Sequence, residues 1–200
     1  EIAAAYTAAM GEMMLRAKQY RNLAAAHALH TLPASDWGND NQVVVGALTK
    51  SDLKKLYSSG MLGGVDGRTY YDKLLASAPL GKCPYCRFGH AETLDHFLPK
   101  ARYPSFAVLP GNLVPACWRC NKGKGGGLVT PELEMSHPYF EVALIELEVW
   151  LSAEIVETSP VTATYAITIP AHWPVELGRR MRNYFEEFKL SVRYAVEAAS

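Results

Sequence analysis

The residues able to do chemistry concentrate in one stretch of this chain. Four cysteines occur, as Cys83-x2-Cys86 and Cys117-x2-Cys120, with none left over. Two matched Cys-x-x-Cys pairs more often close a tetrahedral thiolate cage around zinc than cycle as redox disulfides, so a structural zinc knuckle with four cysteine ligands is expected. Between the pairs lie Leu94-Asp95-His96-Phe97-Leu98-Pro99-Lys100 and Gly111-Asn112-Leu113-Val114-Pro115, and the second pair runs into Asn121-Lys122-Gly123-Lys124. A cage that draws Cys86 beside Cys117 lets Asp95 and Asn121 face one another. Their oxygens are hard ligands suited to a catalytic Mg²⁺ or Mn²⁺. His96 is the candidate general base, because a neutral imidazole can take the proton of an attacking water. Adjacent side chains on a strand point to opposite faces. Asp95 and His96 therefore share a site only if the backbone bends there or the histidine approaches from above the metal. Asn112, in a Pro-Gly-Asn turn, reads as a tie whose amide bonds the backbone and steadies the strand of His96.

Charge supports a phosphodiester substrate only locally. Twenty Lys+Arg balance twenty Asp+Glu, so the net charge is zero and argues for no partner. Between Gly81 and Gly126, however, seven basic residues stand against two acidic ones, and Pro131–Pro160 holds seven glutamates and no Lys or Arg. Lys100, Arg102, Lys122 and Lys124 are the expected contacts to a nucleic-acid backbone.

The elements that must position these residues follow from periodicity. Apolar side chains at Ile2, Tyr6, Met10, Met13, Ala17, Tyr20 and Ala24 predict a long helix over 2–30, and Pro33 ends it. Thr49 or Ser51 can cap a short helix through Tyr57, and Asp66 another through Ala78. Residues 81–127 read as hairpin and loop around the cysteines. Glu141–Leu151 reads as helical, and the β-branched alternation of Ala153–Val156 and Val161–Ile169 predicts a hairpin around Ser159-Pro160. Pro174 opens a final helix whose apolar positions run from Leu177 to Ala199 at helical spacing. The expected class is α+β, as one domain over 1–200: a helical part (1–80), a zinc-stapled core (81–127), and a C-terminal hairpin and helix (128–200). The longest apolar run, Val142–Leu151, is broken by Glu146 and Glu148, short of the roughly 20 residues a membrane span needs. No membrane partner is expected. No signal-like segment opens the chain, so a reducing cytoplasm is the expected location.

The blocks Cys-x2-Cys, Leu-Asp-His-Phe-Leu-Pro-Lys, Gly-Asn-Leu-Val-Pro and Cys-x2-Cys-Asn-x2-Lys, in this order, resemble an HNH endonuclease of the zinc-supported ββα-metal type. His137-Pro138-Tyr139-Phe140 and the final Phe-x2-Phe-x-Leu-x3-Tyr segment also resemble a bacterial HNH subgroup of anti-phage defence operons, which includes proteins similar to the nuclease subunit of Septu. The resemblance implies a ββα-metal core flanked by N- and C-terminal helices. It implies a hydrolase cutting DNA phosphodiester bonds to 5′-phosphate and 3′-hydroxyl ends, with an ATPase as partner subunit. By position it implies Asp95 and Asn121 as ligands of the catalytic ion, His96 as general base, Asn112 as the structural middle asparagine, and Cys83, Cys86, Cys117 and Cys120 around structural zinc. Two features depart from the family. Lys100-Ala101-Arg102-Tyr103-Pro104 stands where many members carry Gly-Gly, and Gly125-Gly126-Gly127 shortens the metal-binding helix, putting Lys124 at a flexible end.

Plainer readings stand beside these. An idle Asp-His pair would leave a non-catalytic zinc module that binds nucleic acid or protein. His90 is most simply a loop residue and His137 a capped turn histidine. His27 and His30 share a helix face without a third ligand. Trp118 packs against the knuckle in the ordinary case, and Met10, Met13 and Met14 form core or a helix-binding face.

Overall fold

The computed structural model describes residues 1–199, in two compact units, Glu1–Thr130 and Pro131–Ser200. The sequence predicts one domain; the boundary between the two units falls close to the change of character after Gly127.

The first unit opens with α1 (Ile2–Ala25), then β1 (Val43–Val45) paired antiparallel with β2 (Leu48–Thr49), and α2 (Lys50–Lys55). The first helix stops short of residue 30: His27 takes a left-handed φ of 53° and His30 lies in a separate short turn, so the two do not share a helix face. Its buried positions are Ala9, Tyr20 and Ala24, whereas Met10 and Met14 are exposed. Ala9 joins Val45, Leu48 and Leu53 in a small core, with Tyr6 and Met13 packed against it.

Thr49 caps α2. Its hydroxyl accepts from the Asp52 N–H (3.2 Å), and Asp52 Oδ2 accepts in turn from the Thr49 N–H (3.0 Å), a reciprocal box that satisfies two orphan donors. A π-type turn, Leu56–Met61, carries the chain from α2 toward α3 (Val65–Ala76). Gly64, not Asp66, is the N-cap of α3, and Asp66 sits in the first turn. Gly67 lets this helix press on the turn: a Cβ there would lie 2.0 Å from the Gly60 carbonyl oxygen.

Next come β3 (Thr93–His96), two 3₁₀ turns, β4 (Leu113–Ala116) and α4 (Trp118–Gly123). The strands pair antiparallel with Asp95 opposite Val114 and His96 opposite Leu113, and α4 packs on β3. Tyr57, Met61, Tyr71, Leu94, Ala107 and Leu113 form the core that holds the turn, α3 and this hairpin together.

The second unit contains α5 (Leu144–Leu147), β5 (Leu151–Val156), β6 (Thr162–Ile167), α6 (Val175–Glu187) and α7 (Leu190–Ala198). The hairpin overlaps the segments that alternation marked, Ala153–Val156 and Val161–Ile169, but its strands begin at Leu151 and end at Ile167, with Leu151 opposite Ile167 and Val156 opposite Thr162. Two helix expectations are corrected. Only four residues of 141–151 are helical, because Glu141 is committed to a two-pronged pair with Arg180 (2.8 and 3.0 Å) and Leu151 enters the strand. The final helix is broken at Lys189, whose left-handed φ of 50° separates α6 from α7 and lets α7 pack on β6. Both halves keep the helical period, so the pattern hides the break. Among the described residues no helix is long and apolar enough to cross a membrane.

Candidate functional site

The four cysteines converge. All are buried, and their sulfurs lie within 4.8 Å of one another. Cys86 and Cys117 Sγ stand 3.8 Å apart. A tetrahedron with Zn–S bonds of about 2.3 Å has edges of about 3.8 Å, so the donor set fits a structural zinc ion. The backbone supports thiolates here: the Gly89 N–H donates to Cys86 Sγ and the Cys120 N–H to Cys117 Sγ, each at 3.4 Å. The Cys86 thiol is held far below its ordinary value, first by hydrogen bonds from Cys120 and Cys83, against the desolvation that burial imposes. Arg87, at φ 65°, turns the chain back after Cys86. Gly89 sits so close to the sulfurs that a Cβ would lie 3.1 Å from Cys117 Sγ.

Strand alternation divides the next residues between two faces of β3. On one face are Thr93 and Asp95, and both meet the α4 segment. The Asn121 amide donates to Thr93 Oγ1 (3.0 Å), and the Lys124 ammonium donates to Asp95 Oδ2 (2.6 Å) and to the His96 carbonyl oxygen. Tyr85, fully buried between Cys83 and Cys86, donates its hydroxyl to the same Asp95 oxygen at 2.8 Å. Burial, and then the charge of Asp95, hold that phenol well above its ordinary value, so it stays a donor. The Asp95 and Asn121 oxygens are of the type a hard divalent ion takes, but here the carboxylate faces an ammonium. Among the described residues, the cysteine cage is the one cluster of three or more His, Cys, Asp or Glu side chains placed to hold a metal.

On the other face is His96, nine-tenths buried and in edge contact with the Tyr57 ring (centroids 4.4 Å apart). Its Nε2 lies 2.8 Å from the Ala107 carbonyl oxygen. A carbonyl only accepts, so Nε2 carries the hydrogen and Nδ1 keeps a lone pair. Burial pushes the imidazole pKa down to about 4, with the bond to Ala107 working against it, so the ring is neutral at neutral pH. β3 remains a paired strand through His96, so a backbone bend does not bring Asp95 and His96 to one site, and an approach of the histidine from above the metal is the route left to a shared one.

Asn112 uses all four of its bonding positions. Its Oδ1 accepts from the Leu98 N–H (2.7 Å) and the Tyr20 hydroxyl (3.1 Å), and its Nδ2 donates to the carbonyls of Leu98 and Phe106 (3.1 Å each). It thereby clamps the segment after His96 to the turn before β4 and to α1.

The basic residues are placed unequally. Lys122 is exposed. Lys100 is partly buried with its ammonium over the Tyr57 ring (4.6 Å), which lowers its pKa through desolvation and then through Lys54 and Lys122. Arg102 accepts the Ser35 N–H at its carbonyl, and its Nε is buried without a partner. Lys124 is committed to Asp95. Trp118 is 59% exposed rather than packed on the knuckle. His137 is buried in a turn, its Nδ1 accepting the Tyr139 N–H.

Tyr85 and Tyr57, which contact Asp95 and His96, are not singled out by motif reasoning. For Tyr85 a signal was present: a residue inside a Cys-x-x-Cys loop is tied to whatever the cage braces. For Tyr57 there was none, since its role depends on a turn far from the motif.

Comparison with known proteins gives two partial likenesses. Protein ea31 of Escherichia phage lambda is 37% identical over 185 residues, covering 90% of this chain and 62% of ea31. Septu protein PtuB of Bacillus thuringiensis is 39% identical over 64 residues, 30% of this chain and 25% of PtuB. The chain therefore spans less than two thirds of the length of either relative. No protein-family profile matches it, and no solved structure matches it.

Proposed function

We propose that the chain is a metal-dependent endonuclease of the HNH type, hydrolysing DNA phosphodiester bonds as the nuclease effector of an anti-phage defence system. The observation that carries this reading is the state of His96. Its Nε2 lies 2.8 Å from the Ala107 carbonyl oxygen, which makes Nδ1 the nitrogen able to accept a proton, and burial holds the ring's pKa down. An antiparallel pair, β3–β4, followed by α4 and braced by a four-cysteine cage supports the reading of a ββα-metal core. The likeness to Septu protein PtuB supports the defence context.

In this reading water attacks phosphorus as the bond to the 3′ oxygen breaks, and His96 Nδ1 takes the water proton, a contribution of about 10²–10⁴ in rate. Solvent protonates the leaving oxygen, giving 5′-phosphate and 3′-hydroxyl ends. Asp95 and Asn121 would hold an Mg²⁺ or Mn²⁺ ion, which when bound would supply charge neutralisation at the phosphate and the leaving oxygen. Asn112 keeps the segment after His96 in register. Lys100, Arg102 and Lys122 would grip the DNA backbone, and an ATPase subunit would be the protein partner.

One observation favours a second reading. With the Lys124 ammonium already on Asp95, the chain would be a non-catalytic zinc module that binds nucleic acid or a protein. Plasmid cleavage by the zinc-loaded chain with Mg²⁺ or Mn²⁺ separates the two. The endonuclease reading expects nicking or linearisation that disappears in His96→Ala at unchanged zinc content. Equal cleavage by the variant overturns it, and DNA retardation without cleavage by the parent supports the second.

A further inference from the structure

Lys124 is an unusual occupant for the place it holds. Its side chain and that of Asp95 are 6% and 7% exposed, and the ammonium lies 2.6 Å from Oδ2. That oxygen also accepts from Tyr85, while the ammonium makes a second bond to the His96 carbonyl. Lys124 thus reads like the resident cation of the carboxylate. Its tether differs from that of the groups around it. Asp95 is on a paired strand and Tyr85 inside the cysteine cage, whereas Lys124 follows the last residue of α4 and precedes Gly125-Gly126-Gly127. The Lys124 N–H is still bonded to the Cys120 carbonyl (3.0 Å), so it is the long side chain, ahead of three glycines that carry no Cβ to crowd it, that can swing away from Asp95.

We propose that Lys124 is a built-in competitor of the divalent ion at Asp95. The inference rests on the endonuclease reading and adds a regulation to its site. Two cations within a few ångströms of one buried carboxylate oxygen repel each other strongly, so an ion can bind only when the ammonium withdraws. The apparent ion affinity is then the intrinsic affinity reduced by the fraction of molecules in which Lys124 is away. A phosphodiester gives the withdrawn ammonium a new anionic partner. Substrate and ion consequently strengthen each other's binding, by the reciprocity that links any two ligands drawing on one equilibrium. Without nucleic acid the site is self-neutralised and binds ions poorly.

The test is Mn²⁺ binding to the zinc-loaded protein, followed by electron paramagnetic resonance, for the parent, Lys124→Gln, Asp95→Asn and the double variant. The expected result is Mn²⁺ affinity about tenfold or more tighter in Lys124→Gln than in the parent, and absent from the double variant with Asp95→Asn. If the parent binds Mn²⁺ through Asp95 and Lys124→Gln binds it no tighter, the competition is overturned and the metal site stands. If no variant shows Asp95-dependent Mn²⁺ binding, both fail. Should Lys124→Gln not fold, acylation of Lys124 in the unmutated protein, read by mass spectrometry, answers the same question. Mg²⁺ raised to saturation without nucleic acid should accelerate labelling of Lys124 as the ion expels it, and a labelling rate unchanged where Mg²⁺ binding to the parent is complete overturns the proposal.

Discussion

The Tyr85 hydroxyl donates to Asp95 Oδ2 at 2.8 Å from inside the Cys83–Cys86 loop, so one phenol joins the sulfur cage to the carboxylate of the candidate site. The cage therefore sets the position of Asp95 as well as holding the chain together.

Tyr85→Phe removes that bond and changes little else in shape. Asp95 keeps Lys124, so the charge stays paired, and the expected loss is about 2 kcal/mol, as for a hydrogen bond to an ionised group. Urea unfolding of the zinc-loaded variant and parent measures it, and zinc content should be equal in the two.

Removing the metal should be far more damaging. Structural zinc contributes on the order of 10 kcal/mol to folding, and four buried thiols cannot replace it. Chelation, or Cys117→Ser, is expected to abolish the near-ultraviolet dichroism of the first unit and open β3, β4 and α4 to proteolysis. A zinc-free protein that resists protease would contradict the structural role of the cage.

Asn112→Ala strands the Leu98 N–H and the carbonyls of Leu98 and Phe106 in a buried turn. The loss should be about 3 kcal/mol or more. Asn112→Asp keeps the acceptor but not the donors, and should recover only part of it, as thermal unfolding would show.

Gly67→Ala tests the contact between α3 and the π-type turn. The added methyl would need the space of the Gly60 carbonyl, so destabilisation of about 1–3 kcal/mol is expected, although alanine is the better helix former. A neutral or stabilising result would mean the turn can yield.

The Thr49–Asp52 box predicts a pH dependence. Hydrogen bonds from the Thr49 hydroxyl and N–H hold the Asp52 carboxyl below its ordinary value. Its folded-state pKa being the lower one, the stabilisation is present in full above the unfolded value of about 4 and is lost as pH falls through the folded value. Asp52→Asn should accordingly cost stability at pH 7 and little at pH 2, and a penalty independent of pH would argue against the carboxylate as the source.

Several features could be read from residues alone because they depend on neighbours in the chain. The convergence of the cysteine pairs, a cap at Thr49 (one of two candidates with Ser51) and a hairpin marked by Ala153–Val156 and Val161–Ile169 each follow from spacing, alternation or a local hydrogen bond, though the hairpin's strands, Leu151–Val156 and Thr162–Ile167, have shifted ends. The partner of Asp95 could not be read this way. Lys124 lies 29 residues further on, and its arrival at that carboxylate depends on β4 and α4 being laid against β3. The same holds for His96, whose lowered pKa comes from burial, against the opposing bond to the Ala107 carbonyl, and not from any property of an Asp-His dipeptide. Nor does helical periodicity report Lys189, since a left-handed residue leaves the apolar spacing intact while redirecting the chain. Short-range steric and hydrogen-bonding preferences are written into consecutive residues. Where a buried charge finds its counter-charge is settled by packing between distant segments, and that is a property of the folded chain.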